Sequence, residues 1–121
     1  MARILYAEDE TDLAAVLSEA LKSAGHEVLV CDNGRDVLPA LDSFKPEIMV
    51  LDLMMPGLGG FDIVRQISET PGRDKIPVIV TTALGQAKRA LDQYSQVHHF
   101  LVKPFSASTL LSAIQASLHK G

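Results

Sequence analysis

The sequence predicts an α/β fold, a doubly wound parallel sheet of five strands covered by helices on both faces. Three observations carry that prediction. Five short runs rich in Val, Ile and Leu alternate along the chain with segments of helical period. Several runs are continuously apolar and lack strict alternation, as strands buried on both faces require. The connections between them are short, which implies right-handed crossovers and a helix layer on each side of the sheet.

The elements follow in order. Arg3 to Ala7 is the first strand, and Leu13, Val16, Leu17, Ala20, Leu21 and Ala24 then recur at helical spacing until Gly25 stops them. Glu27 to Cys31 is the second strand. The second helix, Arg35 to Ser43, contains Pro39, which in a helix interior costs about 3 kcal/mol. That helix is expected to begin late or to kink there. Ile48 to Leu53 is the third strand and Gly60 to Glu69 the third helix, with Pro71-Gly72-Arg73-Asp74 as the turn that follows. Val78 to Thr82 is the fourth strand, Gln86 to Tyr94 the fourth helix and His99 to Val102 the fifth strand. Leu110, Leu111, Ile114 and Leu118 form the stripe of the last helix, with Ser106 or Ser108 as its N-cap.

A chain of 121 residues supports one hydrophobic core, so residues 1–121 are expected to form a single domain. Hydrophobic residues at 47% and charged residues at 21% give a globular balance. No apolar stretch approaches the roughly 18 residues of a membrane span, and Met1-Ala2-Arg3-Ile4 does not open a signal peptide. A cytoplasmic location is the expectation. The net charge of -4 and the lack of a dense Lys/Arg patch argue against direct nucleic-acid binding. Cys31, the single cysteine, reads as a small core residue. His98 and His99 read as loop or edge residues, since neighbours on a strand face opposite ways.

Chemistry concentrates at the carboxyl ends of the strands, the usual binding edge of such sheets. Glu8, Asp9, Asp52, Thr82 and Lys103 all fall there. Two like charges 4 Å apart repel by about 4 kcal/mol at an effective dielectric of 20. Three converging carboxylates therefore imply a cation, and hard oxygen ligands without clustered His or Cys point to Mg²⁺, with Mn²⁺ able to substitute. A carboxylate can be a nucleophile toward phosphorus. Asp52, emerging from a central strand, is held better for in-line attack than the Glu8-Asp9 pair on a turn. Lys103 and the Thr82 hydroxyl supply donors for phosphoryl oxygens.

The segments Ile4-Leu5-Tyr6-Ala7-Glu8-Asp9-Glu10, Val50-Leu51-Asp52-Leu53-Met54-Met55-Pro56-Gly57, Pro77-Val78-Ile79-Val80-Thr81-Thr82-Ala83 and Phe100-Leu101-Val102-Lys103-Pro104-Phe105 resemble, in order and interval, the motifs of receiver domains of bacterial two-component response regulators, of the chemotaxis-regulator type. The resemblance implies a flavodoxin-like (βα)5 fold with strand order 2-1-3-4-5. It implies Asp52 as phosphoacceptor, with Glu8, Asp9, Asp52 and the Met54 carbonyl serving Mg²⁺. Thr82 with Ala83 would form the switch and phosphate-binding turn, Lys103 would bind phosphate, and Phe100 would be the switch aromatic. The peptide before Pro104 would be cis.

The same resemblance implies a switch phosphorylated by a sensor histidine kinase or phosphotransfer protein. Its output would be a shift in the surface of the fourth helix, fifth strand and fifth helix toward a downstream protein or effector domain. Lys88, Arg89, Gln93, Gln96 and His99 are the exposed partner contacts expected by position. Dimerisation through the last helices is compatible with the family. The chain departs from the family pattern at Glu8, where many members have Asp, at Phe100, often Tyr, and at Ser95-Gln96-Val97-His98-His99, where a Gly-Ala-Asp-like turn is usual. An aspartyl-phosphate phosphohydrolase commonly carries a second Asp where Met54 stands, so turnover is not expected and the chain is read as no enzyme. A flavin carrier would not place Glu8 and Asp9 where phosphate needs donors. A receiver-like binding module without phosphorylation is the alternative. Met54 and Leu84 beside the site predict slow hydrolysis of an Asp52 phosphate.

Overall fold

The computed structural model describes residues 2–119, and within them every apolar run becomes a strand. These are β1 (Arg3–Ala7), β2 (Glu27–Cys31), β3 (Ile48–Asp52), β4 (Val78–Thr82) and β5 (Val97–Val102). All pair in parallel in the order β2-β1-β3-β4-β5. Because the order reverses between β1 and β3, their carboxyl ends open a crevice at the switch point. Glu8, Asp9 and Asp52 stand at its edges.

Five helices cover the sheet: α1 (Thr11–Ser23), α2 (Val37–Phe44), α3 (Gly60–Ser68), α4 (Lys88–Leu91) and α5 (Ala107–His119). Strand alternation splits the core into two layers. Leu5, Met49, Leu51, Val78 and Val80 face Val37 and Leu41 of α2, Ile63 and Ile67 of α3 and Leu91. Ile4, Tyr6, Ile48, Val50 and Ile79 face Leu17 and Leu21 of α1 and Leu110 and Ile114 of α5. Each aliphatic side chain so buried contributes ~1.5–3 kcal/mol, and β3 and β4, each buried along its whole length, are the best anchored strands.

Local signals explain the boundaries. Gly25 takes φ 95° and its N–H returns to the Lys22 carbonyl at 2.9 Å, closing α1. A 3-10 turn over Gly34–Asp36 delays α2, so Pro39 falls in the first helical turn, where a missing N–H is tolerated. The late start expected from Pro39 is what the backbone adopts. Ser106, and not Ser108, caps α5: its hydroxyl accepts from the Thr109 N–H at 3.1 Å.

Two elements differ from their expected bounds. The fourth helical segment is a 3-10 turn, Gly85–Ala87, followed by one α turn, because Leu91 alone among these residues is fully buried. Strand β5 begins at Val97, two residues early. A bulge accommodates this: Val78 pairs with Val97 and Ile79 with His99, leaving His98 as the extra residue. The two histidines therefore lie on an edge strand, not in a loop.

Candidate functional site

Asp52 is the last residue of β3 and is 3% exposed. The Met54 N–H donates to its Oδ1 at 3.1 Å, which folds the chain into the loop beyond β3. Close backbone approach braces that loop. Gly34 packs so tightly on Leu58 that a Cβ would lie 1.7 Å from the Leu58 carbonyl oxygen, and the Gly34 N–H donates to the Pro56 carbonyl at 2.9 Å. Gly57 turns the loop at φ 83°, a conformation that favours glycine. The Asn33-Gly34 turn thus holds the segment that carries Met54.

Glu8 follows β1 and is buried, with Oε2 accepting from the Glu10 N–H at 3.2 Å. Asp9 is exposed beside it. Carboxylate oxygens of Glu8, Asp9 and Asp52 lie within 4.8 Å of one another. Lys103, just past β5, bridges two of them: its Nζ is 2.8 Å from Glu8 Oε1 and 3.1 Å from Asp52 Oδ2. Burial pushes the Glu8 carboxyl above its usual range, and the Lys103 bond offsets only part of that. Burial alone would lower the Lys103 ammonium, but its bonds to Glu8 and Asp52 outweigh this and raise it. The lysine is a stably charged group between two acids. A buried cluster with more acids than bases is chemically suited to a hard cation held through oxygen.

Thr82 ends β4, buried, and its Oγ1 accepts from the Leu84 N–H at 3.0 Å while its carbonyl accepts from the Lys103 N–H at 2.8 Å. Ala83 is exposed beside it. Phe100 is half-buried next to Val80, on the face of the sheet opposite Lys103. The Lys103-Pro104 bond is cis. Met54, 59% exposed, and Leu84 form an apolar rim near the acids.

The expected partner surface requires correction. Lys88, Arg89 and Gln93 are exposed, but Gln96 is 6% exposed and His99 half-buried. Gln96 turns inward because its amide donates to the carbonyls of Arg73, at 3.2 Å, and Ile76, at 2.9 Å. The Arg73 carbonyl also accepts from the Ile76 N–H at 3.2 Å, so it is the Ile76 carbonyl that depends on the Gln96 amide. Cys31 is buried as expected, its thiol pushed up to about 11 by burial and by Asp36 and Asp32. Sequence reasoning gave no role to the hydroxyls of Tyr6 and Thr81. Both are buried on the Asp52 face, a placement that strand alternation alone signals.

The chain resembles known proteins along nearly its whole length. Residues 4–115 match the family model of the response regulator receiver domain. The chain belongs to that family. This receiver domain is 34% identical over 119 residues to protein PilH of Pseudomonas aeruginosa, covering 98% of each chain. Among solved structures, it is 32% identical to a response regulator receiver domain from Bermanella marisrubri, with a TM-score of 0.85 over 96% of this chain and 97% of that one. It is 26% identical to the response regulator TrrA of Thermotoga maritima, solved in complex with Mg²⁺ and BeF, with a TM-score of 0.84 over 97% and 99% of the two chains. The chain spans about half the length, 51–52%, of other curated relatives that it matches. Receiver domains act as signalling switches, bind Mg²⁺ at an acidic pocket and interact with histidine kinases or phosphotransfer proteins. No helix among the described residues is long and apolar enough to cross a membrane.

Proposed function

We propose that residues 1–121 work as a single phosphoacceptor switch, with Asp52 receiving the phosphoryl group from a phosphohistidine of a kinase or phosphotransfer protein. The observation that carries this reading is Lys103 Nζ standing 3.1 Å from Asp52 Oδ2 inside a cluster of three carboxylates. A carboxylate oxygen of Asp52 attacks phosphorus in line, the bond to the donor nitrogen breaks, and the leaving imidazole keeps that electron pair and takes up a proton. Glu8, Asp9, Asp52 and the Met54 carbonyl would hold Mg²⁺, which when bound neutralises charge on the phosphoryl oxygens. Lys103 contributes its ammonium to a phosphoryl oxygen, and the Thr82 hydroxyl, donor still available, contributes to another.

Phosphorylation takes Asp52 from about one negative charge to about two and adds acceptor oxygens. Thr82 turns toward them, and Phe100, which shares β5 with His99 next to β4, repacks into the vacated space. The output is a changed surface over α4, β5 and α5, with Lys88, Arg89 and Gln93 as partner contacts. Met54 and Leu84 slow water attack on the acyl phosphate. The protein acts in the cytoplasm.

The test is intact mass after incubation with Mg²⁺ and phosphoramidate. Support for the switch is a Mg²⁺-dependent adduct of one phosphoryl group, absent in D52N. An unmodified protein under every donor, cognate kinase included, would leave a receiver-like binding module.

A further inference from the structure

Two hydroxyls on the Asp52 face of the sheet, Tyr6 Oη and Thr81 Oγ1, have no hydrogen-bond partner among the described residues, and both side chains are wholly buried. A buried hydroxyl left unbonded is destabilising, and each such group calls for a physical reason. The position of Thr81 supplies one. It is the register partner of Asp52 on β3 and of Leu101 on β5. Alternation puts Thr81, Asp52 and Lys103 on the same face as Val50, Ile79 and Leu101, the face beneath α1 and α5.

Lys103 starts beyond β5, yet its ammonium reaches Asp52 on β3 and Glu8 beyond β1. Strand β4 lies between β5 and β3. The lysine side chain therefore crosses β4 at its carboxyl end, from beyond the Thr82–Val102 pair toward Asp52, the register partner of Thr81. An ammonium has three donors, and here Glu8 and Asp52 take two. When those carboxylates engage a metal cation and a phosphoryl group, the lysine loses its protein acceptors. Thr81 Oγ1 is a buried acceptor without a partner among the described residues.

We propose that Thr81 is a positioning residue for Lys103: its hydroxyl accepts a hydrogen bond from the ammonium and keeps it over Asp52 while the carboxylates are engaged elsewhere. This rests on Asp52 being the phosphoacceptor. It assigns work to the hydroxyl next to, and facing away from, the switch hydroxyl of Thr82. Tyr6 sits beside Val50, one row deeper and away from the lysine's path, and has no such role.

The experiment compares wild type, T81V, T81S and Y6F in phosphorylation by phosphoramidate at saturating Mg²⁺, with Mg²⁺ affinity and thermal melting measured on each. T81V should phosphorylate about tenfold more slowly, the scale of one lost charge-assisted hydrogen bond. Its Mg²⁺ affinity should stay within about twofold and its melting temperature should hold or rise, since an unbonded hydroxyl is replaced by a methyl of equal size. T81S should recover the wild-type rate within about twofold, and Y6F should match wild type, as expected where no bond to the lysine is lost. If T81V does not fold, T81A carries the same comparison. A T81V rate equal to wild type, or a T81S rate as low as T81V, overturns the assignment. Wild type taking up no phosphate at all overturns it together with the phosphoacceptor reading, and that outcome is distinct because every variant is then silent.

Discussion

Lys103 Nζ lies 2.8 Å from Glu8 Oε1, closer than its 3.1 Å to Asp52 Oδ2. The lysine thus fills with its own charge part of the role a metal would take among the acids. Because Glu8 and Asp52 are buried and Lys103 half-buried, the contest between these three is weakly screened by salt. Replacing Lys103 by Met removes the competitor and leaves the carboxylates uncompensated. K103M should bind Mg²⁺ about tenfold more tightly, ~1.4 kcal/mol, by calorimetric titration, yet accept phosphate far more slowly. Weaker Mg²⁺ binding in K103M would show that the lysine assists the metal and does not oppose it.

The same pair shapes stability against pH. Lys103 is raised in the folded state, so its contribution is fully present below its ordinary value of 10.5 and is lost as pH rises through the higher folded value. Glu8 is also raised, so its contribution is present below 4.5 and is lost as pH rises past that point. Denaturant titrations should show wild type losing more stability than K103M in the alkaline range. Between acid and neutral pH, wild type should lose more than E8Q. Parallel curves in either comparison would mean that the pair is not coupled to folding.

Gly34 against Leu58 is a backbone contact with no room for a side chain. G34A should destabilise by ~3 kcal/mol or more and disturb the loop that presents the Met54 carbonyl, weakening Mg²⁺ binding as well. Gly59, where an added Cβ meets nothing within 4 Å, is the control. G59S should leave stability unchanged or raise it by a few tenths of a kcal/mol as a better N-cap of α3. Urea denaturation of the two variants checks both signs.

Gln96 is buried, and its amide ties the Arg73 and Ile76 carbonyls. Q96A deprives the Ile76 carbonyl of its side-chain donor and leaves the Arg73 carbonyl with only the Ile76 N–H, and should cost ~1–3 kcal/mol. Phosphorylation at Asp52 should be unaffected in the folded variant. A stable Q96A that has lost binding to an isolated partner would restore Gln96 to the interaction surface.

How much was legible before the structure depends on the range of the forces involved. The strands and α1 were readable because burial on one or both faces writes itself into local periodicity, as in Ile48 to Leu51 or Leu17 to Leu21. Asp52 was readable for the same reason, as a charge ending an apolar run. The extent of α4 was not, because one buried leucine makes no period. Nor was the start of β5, which a bulge sets through pairing with β4. Gln96 folding inward and Lys103 crossing β4 to reach Glu8 depend on partners 20 or more residues away, and no local pattern encodes them.

The measurement that bears most directly on the central claim is the location of the phosphate. Reduction of the phosphorylated protein with borohydride converts an aspartyl phosphate to homoserine, which peptide mass mapping assigns to a residue. Homoserine is expected at position 52, formed only with Mg²⁺ and lost in D52N. Homoserine at Asp9, or a phosphate that survives reduction on a hydroxyl such as Thr82, would contradict it.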